Sequence, residues 1–272
     1  MTEEIALRGA ELCLSYHGTP VVTDGHITLR PGHVTALVGP NGSGKSTLLR
    51  ALARLHLPDS GAVTLSGGAD AAVLTARDFA RRVTLLTQSR PTPGGVRVSD
   101  VVGYGRHPYR RRWRAGDPDG AAAVARAMAL TGVTTMVDRP VDELSGGELQ
   151  RVWLATCLAQ DTGVLLLDEP TTFLDLRYQV ELLDLVRDLA DEHGVAIGVV
   201  LHDLNQAAEI ADHVVLLHGG RVRADGPPAQ VLTESLLSET YGIRIEVSHD
   251  AATGALATRP VGRHSRTTPA TT

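Results

Sequence analysis

The chain has 272 residues, of which 43% are hydrophobic and 21% charged, a composition that excludes a wholly disordered protein. The formal net charge of −5 gives no general sign of nucleic-acid binding. The acidic N-terminus does not resemble a signal peptide, and no apolar run approaches the roughly 18 residues of a membrane-spanning helix. We therefore expect a cytosolic or peripheral protein whose membrane role, if any, comes through a partner.

The first part of the chain predicts a strand, a glycine-rich loop and a helix in succession. Short runs rich in β-forming residues predict strands at 5–16, 26–30, 34–38, 62–66 and 83–87. The run at 34–38 stops at Gly39, and residues 45–54 then show helical spacing.

The middle of the chain changes from strand to helix patterns. Helices are predicted at 99–104 and 119–131, with Gly132 as the C-terminal cap of the second. We expect these helices to belong to a small helical subdomain spanning about 89–160.

Strands and helices alternate from Ser145 onward, which argues for an α/β fold. The apolar runs at 164–168 and 195–201 are typical of strands buried on both faces of a parallel sheet. The remaining elements are predicted as a helix from Asp175, a hairpin at 213–225 turning at Gly219–Gly220, a helix at 233–241 and a last strand at 243–247. From 249 to 272 we expect a tail that is partly disordered.

The loop after the strand at 34–38 fits the phosphate-binding pattern at each fixed position. Its residues are Gly39, Pro40, Asn41, Gly42, Ser43, Gly44, Lys45, Ser46 and Thr47. Glycines let backbone N–H groups turn toward an anion, and the N-terminus of the following helix adds partial positive charge. Lys45 is expected to reach the β- and γ-phosphates of ATP, and the Ser46 hydroxyl to ligate Mg²⁺.

A second candidate part of an ATP site is the acidic end of the strand predicted at 164–168. Asp168 can reach Mg²⁺ there, as the Walker-B aspartate does. Glu169 follows at once, and Pro170 disfavours a helical conformation for it. A carboxylate beside the γ-phosphate can polarise the attacking water, so Glu169 is the candidate general base. An ordinary strand end is the alternative.

The segment Leu144-Ser145-Gly146-Gly147-Glu148 predicts a helix start. Ser145 and Glu148 form a capping box, which explains those two residues but not two adjacent glycines in a first helical turn. The glycines indicate close approach of the backbone to an anion. Two phosphate-binding helix starts with one lysine suggest a nucleotide shared between two chains.

These motifs together resemble the nucleotide-binding subunit of ATP-binding-cassette (ABC) transporters. The likeness runs from about residue 5 to 248 and includes LSGGELQR at 144–151 and LLLDEP at 165–170. The resemblance implies a P-loop NTPase core with a mostly parallel sheet, an N-terminal antiparallel β portion and a helical subdomain. It also implies that two copies, identical or similar, sandwich two Mg-ATP.

The resemblance assigns further residues around the nucleotide. Tyr16 matches the aromatic residue that stacks on adenine, although its residue type alone would equally suggest core packing. Gln88 matches the glutamine that touches Mg²⁺ and water and senses the membrane subunit. His202 matches the histidine that contacts the γ-phosphate, where the alternative is a histidine satisfied at a strand end.

Other matches concern the second chain of the expected dimer. Ser145 and Gly147, with Gly146 between them, match the signature contacts to ATP held by the other subunit. Asp175 matches the aspartate that links the two sites, and it could equally be a helix N-cap. The expected partners are therefore a second ATPase subunit and transmembrane permease subunits at the cytoplasmic face of the membrane, with a substrate-binding protein engaged indirectly and no nucleic acid.

Three longer segments indicate a substrate class. Residues 104–109, 171–179 and 201–207 resemble the ATPases of ferric-siderophore, haem and cobalamin importers, with the siderophore branch most similar. The alternatives are a haem or cobalamin importer and, more remotely, a soluble ABC ATPase acting on DNA or ribosomes. Proteins of that last class usually carry two cassettes or a long coiled-coil insertion.

A basic cluster lies near the middle of the chain, at Arg106, Arg110, Arg111, Arg112 and Arg114, interleaved with aromatic residues. Three interpretations stay open: a solvated loop face, contact with the membrane subunit or anionic lipid, and nucleic-acid binding. The scattered histidines predict no metal site made by protein ligands alone.

Overall fold

The computed structural model describes residues 4–88, 92–110, 116–172, 174–250 and 254–263. The strands in these ranges are β1 Leu7–Tyr16, β2 Thr19–Leu29, β3 Val34–Val38, β4 Ser60–Leu65, β5 Ala69–Asp70, β6 Val83–Leu86, β7 Val164–Asp168, β8 Ala196–Val200, β9 His213–His218, β10 Arg221–Gly226, β11 Ile245–His249 and β12 Leu256–Pro260. The α-helices are α1 Lys45–Leu52, α2 Ala76–Ala80, α3 Val98–Gly103, α4 Gly120–Leu130, α5 Gly146–Ala159, α6 Leu176–Asp191, α7 Leu204–Ile210, α8 Pro228–Val231 and α9 Glu234–Tyr241. In these ranges no helix combines the length and apolarity needed to cross a membrane.

Two sheets form the framework of the fold. The larger has the strand order β10-β9-β3-β8-β7-β6, and all its pairs are parallel except the β9–β10 hairpin. The smaller is antiparallel, with the order β2-β1-β4-β5. The predicted α/β class with an N-terminal antiparallel portion is therefore confirmed. The strand predicted at 26–30 is the end of a longer strand, β2.

The core lies on both faces of the large sheet, as continuous apolar strands require. All five residues of β3 are buried. Ala36 and Val38 pack in a cluster with α6 and α7, whereas Leu37 packs on the opposite face with α1 and the small sheet. The sheet is thereby covered on both sides, and its strand ends are left to form the site.

Helices α3, α4 and α5 carry a separate hydrophobic cluster. Its buried members run from Val98 to Ala159 and include Val102, Met128 and Val152. Gly132, with a φ of 67°, follows the end of α4 in the left-handed conformation that the predicted cap requires. These helices thus pack against one another around apolar side chains of their own.

Arg106 does not lie on a solvated face, which corrects that interpretation for one member of the basic cluster. It is 4% exposed and donates to both carboxylate oxygens of Asp117, at 2.7 and 2.9 Å, and to the Ala159 carbonyl at 3.0 Å. Its guanidinium also lies 3.8 Å from the Tyr109 ring centroid. A buried bidentate ion pair of this kind is structural. Arg111, Arg112 and Arg114 fall outside the described residues.

The C-terminal hairpin extends beyond the predicted tail boundary at 248. Strand β12 lies within the segment expected to be a tail and pairs antiparallel with β11. The Asn205 side chain on α7 fixes it: Asn205 Oδ1 accepts from the backbone N–H of Thr258 at 2.7 Å and from its hydroxyl at 3.1 Å. Regular secondary structure therefore continues to Pro260.

Candidate active site

Three glycines of the loop at 39–47 adopt backbone conformations that suit glycine alone. Their φ angles are 143° at Gly39, 76° at Gly42 and 100° at Gly44. A Cβ at Gly39 would lie 2.1 Å from the backbone oxygen of Leu217, so a larger residue has no room there. The loop folds tightly between β3 and α1, which begins at Lys45.

Lys45 curls back over this loop and is 5% exposed. Its Nζ donates to the backbone oxygens of Gly39 at 2.8 Å and Pro40 at 3.0 Å. Burial lowers the pKa of the ammonium group below its ordinary value, while the carboxylates of Glu169 and Asp168 act in the opposite direction. A buried cation in such a loop is suited to pair with an anion.

Glu169 is held from two sides at the carboxyl end of β7. Its Oε2 accepts a hydrogen bond from Gln88 Nε2 at 2.6 Å, and its Oε1 lies 2.7 Å from His202 Nε2. Thr172 Oγ1 approaches the same Oε2 at 3.4 Å. The backbone φ of Glu169 is 53°, which is uncommon for a non-glycine residue and occurs often at functional sites. The structure thus brings Gln88 and His202, both predicted to act at the γ-phosphate end of the nucleotide, into contact with the candidate general base Glu169.

Asp168 is 1% exposed and offers one oxygen that the described residues leave unpaired. Its Oδ2 lies 3.3 Å from Arg50 Nη2, whereas Oδ1 is buried without a hydrogen-bond partner in those ranges. Ser43 Oγ is in the same situation. Buried polar atoms of this kind call for a ligand, and carboxylate and hydroxyl oxygens suit Mg²⁺. The unpaired carboxylate oxygen of Asp168 therefore fits the chemistry of the expected cation. No local pattern in the sequence indicates that Arg50 approaches the end of β7.

The phosphate loop, Glu169 and His202 line one small pocket of about 150 Å³, whereas Asp168 and Gln88 are not among its lining residues. Its walls are Val21, Asn41, Gly42, Ser43, Gly44, Lys45, Ser46, Thr47, Glu169 and His202. Tyr16 is not among them. It ends β1 with 41% of its surface exposed, and its ring centroid lies 4.6 Å from that of His56. The Tyr16 side chain is therefore open to stacking rather than packed in the core.

The signature segment starts α5 as predicted but takes no part in lining that pocket. Ser145 Oγ accepts from the Glu148 N–H at 3.3 Å, and Glu148 Oε2 accepts from the Ser145 N–H at 2.8 Å, which confirms the capping box. A Cβ at Gly147 would lie 2.8 Å from Tyr178 Cδ2, whereas one at Gly146 would meet nothing within 4 Å. Packing against Tyr178 thus accounts for Gly147, and Gly146 faces open space.

Asp175 is the N-cap of α6. Its Oδ1 accepts from the backbone N–H of Tyr178 at 3.0 Å, which confirms the helix start predicted there. The Asp175 side chain lies on the exposed surface. Phe173, which precedes it in the predicted motif, lies outside the described residues.

A phosphate loop after β3, together with a carboxylate held at the end of β7 two strands away in the same sheet, defines the class of phosphate-loop ATPases. The chain belongs to the ABC transporter family, whose model matches residues 22–172, and it is the ATP-binding, ATP-hydrolysing subunit of that family.

Curated relatives cover nearly the whole chain. It is 43% identical to the ferric enterobactin transport ATP-binding protein FepC of Escherichia coli (strain K12), over 98% of this chain and 99% of that protein. It is 43% identical to the achromobactin transport ATP-binding protein CbrD of Dickeya dadantii (strain 3937), over 90% and 91%. It is 44% identical to the hemin import ATP-binding protein HmuV of Bordetella pertussis, over 93% and 98%.

Solved structures share the fold. A metal-chelate type ABC transporter in an inward-facing conformation superposes with a TM-score of 0.82 at 24% identity, covering 95% of this chain and 98% of that one. A dimeric bacterial ABC transporter cassette superposes with a TM-score of 0.70 at 21% identity, covering 82% and 98%.

Proposed function

We propose that this chain is the ATPase subunit of an importer that takes up an iron-siderophore complex. The observation that carries the ATPase part is the position of Glu169, held between Gln88 and His202 at the wall of the phosphate-loop pocket. The substrate class is supported by the relatives named for ferric enterobactin and achromobactin, which the chain matches along nearly its full length.

In this proposal the loop at 39–47 cradles the ATP phosphates, with the buried Lys45 ammonium pairing their charge. Ser46, Asp168 and Gln88 supply oxygens to Mg²⁺, and the unpaired Asp168 Oδ1 is the strongest support for this assignment. The cation neutralises charge on the phosphates when it is bound. Tyr16 stacks on the adenine at the exposed end of β1.

Glu169 acts as the general base in hydrolysis. Its Oε2 and Oε1 are oriented by Gln88 and His202, so the carboxylate is fixed before the attacking water arrives. His202 follows β8, and from there it would contact the γ-phosphate. Gln88 lies after β6, where it can report contact with a membrane partner.

The second half of each site comes from another copy of the chain. Ser145, Gly146 and Gly147 would contact the ATP bound by that copy, and the open surface at Gly146 leaves room for it. Asp175, exposed at the start of α6, would connect the two sites. We take α3, α4 and α5 as the helical subdomain predicted at 89–160, which carries this surface.

The importer also requires partners outside this chain. The ATPase pair would bind permease subunits at the cytoplasmic face of the membrane, and a separate binding protein would select the substrate. ATP-driven closure of the pair would move the permease, so the substrate itself would not contact this polypeptide.

A haem importer is the second candidate, because the hemin import relative of Bordetella pertussis is 44% identical over 93% of this chain. Residues of the ATPase do not bind the transported substrate in this scheme. Substrate class must therefore be tested by uptake.

The decisive experiment expresses the gene together with permease and binding-protein genes from the same genome, in a host lacking its own iron-siderophore and haem importers. Uptake of radioactive iron is then measured from a ferric siderophore and from haem. We expect siderophore uptake with the wild-type ATPase, none with Glu169→Gln, and normal uptake with the exposed control Glu192→Gln. If only haem were taken up, the transported substrate would be haem and not an iron-siderophore complex. If Glu169→Gln left uptake unchanged, transport would not depend on ATP hydrolysis at this site.

A further inference from the structure

A chain of side-chain hydrogen bonds links the segment after β7 to helices α6 and α7. Thr171 Oγ1 donates to Gln206 Oε1 at 3.1 Å, and Gln206 Nε2 donates to Gln179 Oε1 at 2.9 Å. Gln179 Nε2 then donates to the backbone oxygen of Leu174 at 2.9 Å. The three side chains come from three different elements, and none of them lines the phosphate-loop pocket.

The chain of bonds runs in one direction. Each amide accepts through its oxygen and donates through its nitrogen, so the chain is complete only with a hydroxyl at 171 and amides at 179 and 206. Thr171 is 8% exposed, and both glutamines are partly buried. Because water reaches these groups poorly, loss of one member would leave its neighbour unpaired.

Its position relates the chain of bonds to the catalytic pair. Thr171 follows Glu169 by two residues, and Gln206 follows His202 by four. The Glu169–His202 contact of 2.7 Å and the Thr171–Gln206 bond of 3.1 Å therefore join the same two segments at two places. One contact would allow the segments to pivot, whereas two fix their relative orientation.

We propose that Thr171, Gln206 and Gln179 are positioning residues for ATP hydrolysis. They hold the Glu169 carboxylate and the His202 ring at a fixed separation without touching the nucleotide. The chain of bonds ends at Leu174, next to Asp175, so it also ties the catalytic pair to the segment expected to meet the second subunit. The inference rests on the proposed role of Glu169 as the general base.

The test compares two substitutions at one position in the purified full-length protein. Thr171→Val removes the hydroxyl at nearly constant shape, and Thr171→Ser retains it. We expect Thr171→Val to lower kcat roughly tenfold, the effect of about one hydrogen bond on the barrier, with ATP affinity unchanged. Thr171→Ser should turn over near the wild-type rate. Phosphate release gives kcat, and titration with a fluorescent ATP analogue gives affinity.

Two further variants examine the rest of the chain of bonds. Gln206→Met and Gln179→Met keep side-chain length and remove the amide, and each should lower kcat with ATP affinity unchanged. The double variant Thr171→Val with Gln206→Met should lower kcat by less than the product of the two single-variant fold-changes, because both substitutions break the same hydrogen bond. Should one variant fail to fold, the other tests the chain of bonds from its opposite end.

Asn205→Ala is the matched control. Asn205 is adjacent to Gln206 on α7 but bonds to Thr258 of the C-terminal hairpin, away from the pocket. We expect this variant to melt at a lower temperature with kcat unchanged. A wild-type kcat in Thr171→Val, an equal loss in Thr171→Ser, or an equal loss in Asn205→Ala would each overturn the positioning role.

These results are separable from failure of the proposed function. Wild-type hydrolysis by Glu169→Gln would refute the general base directly, whatever the variants at 171 show. A different transported substrate would alter the uptake experiment and leave the kcat of every variant here as it is.

Discussion

Glu169 Oε1 lies 2.7 Å from His202 Nε2, so one side-chain contact joins the carboxyl ends of the adjacent parallel strands β7 and β8. Glu169→Gln keeps the size of this side chain and removes its basicity. We expect turnover to fall by roughly 10²–10⁴ with ATP still bound, as for loss of a general base. Phosphate release measures the first quantity and equilibrium ATP binding the second.

The same variant tests whether ATP is shared between two chains. With hydrolysis blocked, Mg-ATP should convert the protein from monomer to dimer, as measured by light scattering, and Mg-ADP should not. The wild-type protein with Mg-ATP is the control, because it hydrolyses the ligand. A monomer with Mg-ATP both alone and with the permease would contradict the shared site.

Lys45 is expected to govern nucleotide affinity rather than turnover. Lys45→Ala removes a buried ammonium group that donates hydrogen bonds to the loop backbone at Gly39 and Pro40. We expect ATP affinity to fall about ten- to a hundredfold, the effect of losing charged hydrogen bonds to phosphate. Titration with a fluorescent ATP analogue measures it. Arg54→Ala, which removes a cation just beyond the other end of α1, should bind ATP as the wild type does.

The bounds of strands that are buried on both faces of the large sheet could be predicted closely from the sequence. The runs at 34–38 and 164–168 match β3 and β7 residue for residue, because each is a continuous apolar segment with a sharp end. Helix starts at Ser145 and Asp175 were equally clear, since a capping side chain marks each of them. The phosphate loop followed from its glycine and lysine spacing alone.

What the sequence could not supply depends on contacts between distant residues. The residue type of Glu169 does not indicate its left-handed backbone, and β-propensity at 256–260 is too weak to indicate β12 without its bonds to Asn205. Gly147 was predicted to approach an anion, and the sequence does not indicate the further packing restraint that a Cβ there would meet the Tyr178 ring. Pairings of this kind have no local signal in the chain.

The two signature glycines should behave differently when substituted. Gly147→Ala forces a Cβ to 2.8 Å from Tyr178, so we expect a loss of about 1–3 kcal/mol of stability from overpacking. Gly146→Ala meets open space and gains helix propensity, so the monomer should melt no lower than the wild type. Thermal unfolding distinguishes the two variants.

Substitution of Gly146 also tests whether this residue lies in the interface with the second chain. In the Glu169→Gln background, Gly146→Ala should weaken the ATP-dependent dimer, because the added methyl group would stand where the other subunit's nucleotide approaches. Light scattering at several protein concentrations measures this. Dimerisation equal to that of Glu169→Gln alone would show that Gly146 lies outside the interface.

Glu148 makes the start of α5 sensitive to acid. The pKa of its carboxyl is lowered from an ordinary value of 4.5, first by the hydrogen bond from the Ser145 backbone, then by the Ser145 hydroxyl and Arg139. A carboxyl group whose pKa is lower in the folded than in the unfolded protein stabilises the fold at pH values above the unfolded-state pKa. This stability is lost as the pH falls through the folded-state pKa. Glu148→Gln can still cap but cannot titrate, so we expect its stability to fall less between pH 7 and pH 3.5 than that of the wild type.

Urea unfolding at both pH values measures the difference, with the exposed Glu143→Gln as the control for net charge. Equal losses in Glu148→Gln and the wild type would contradict a titrating cap.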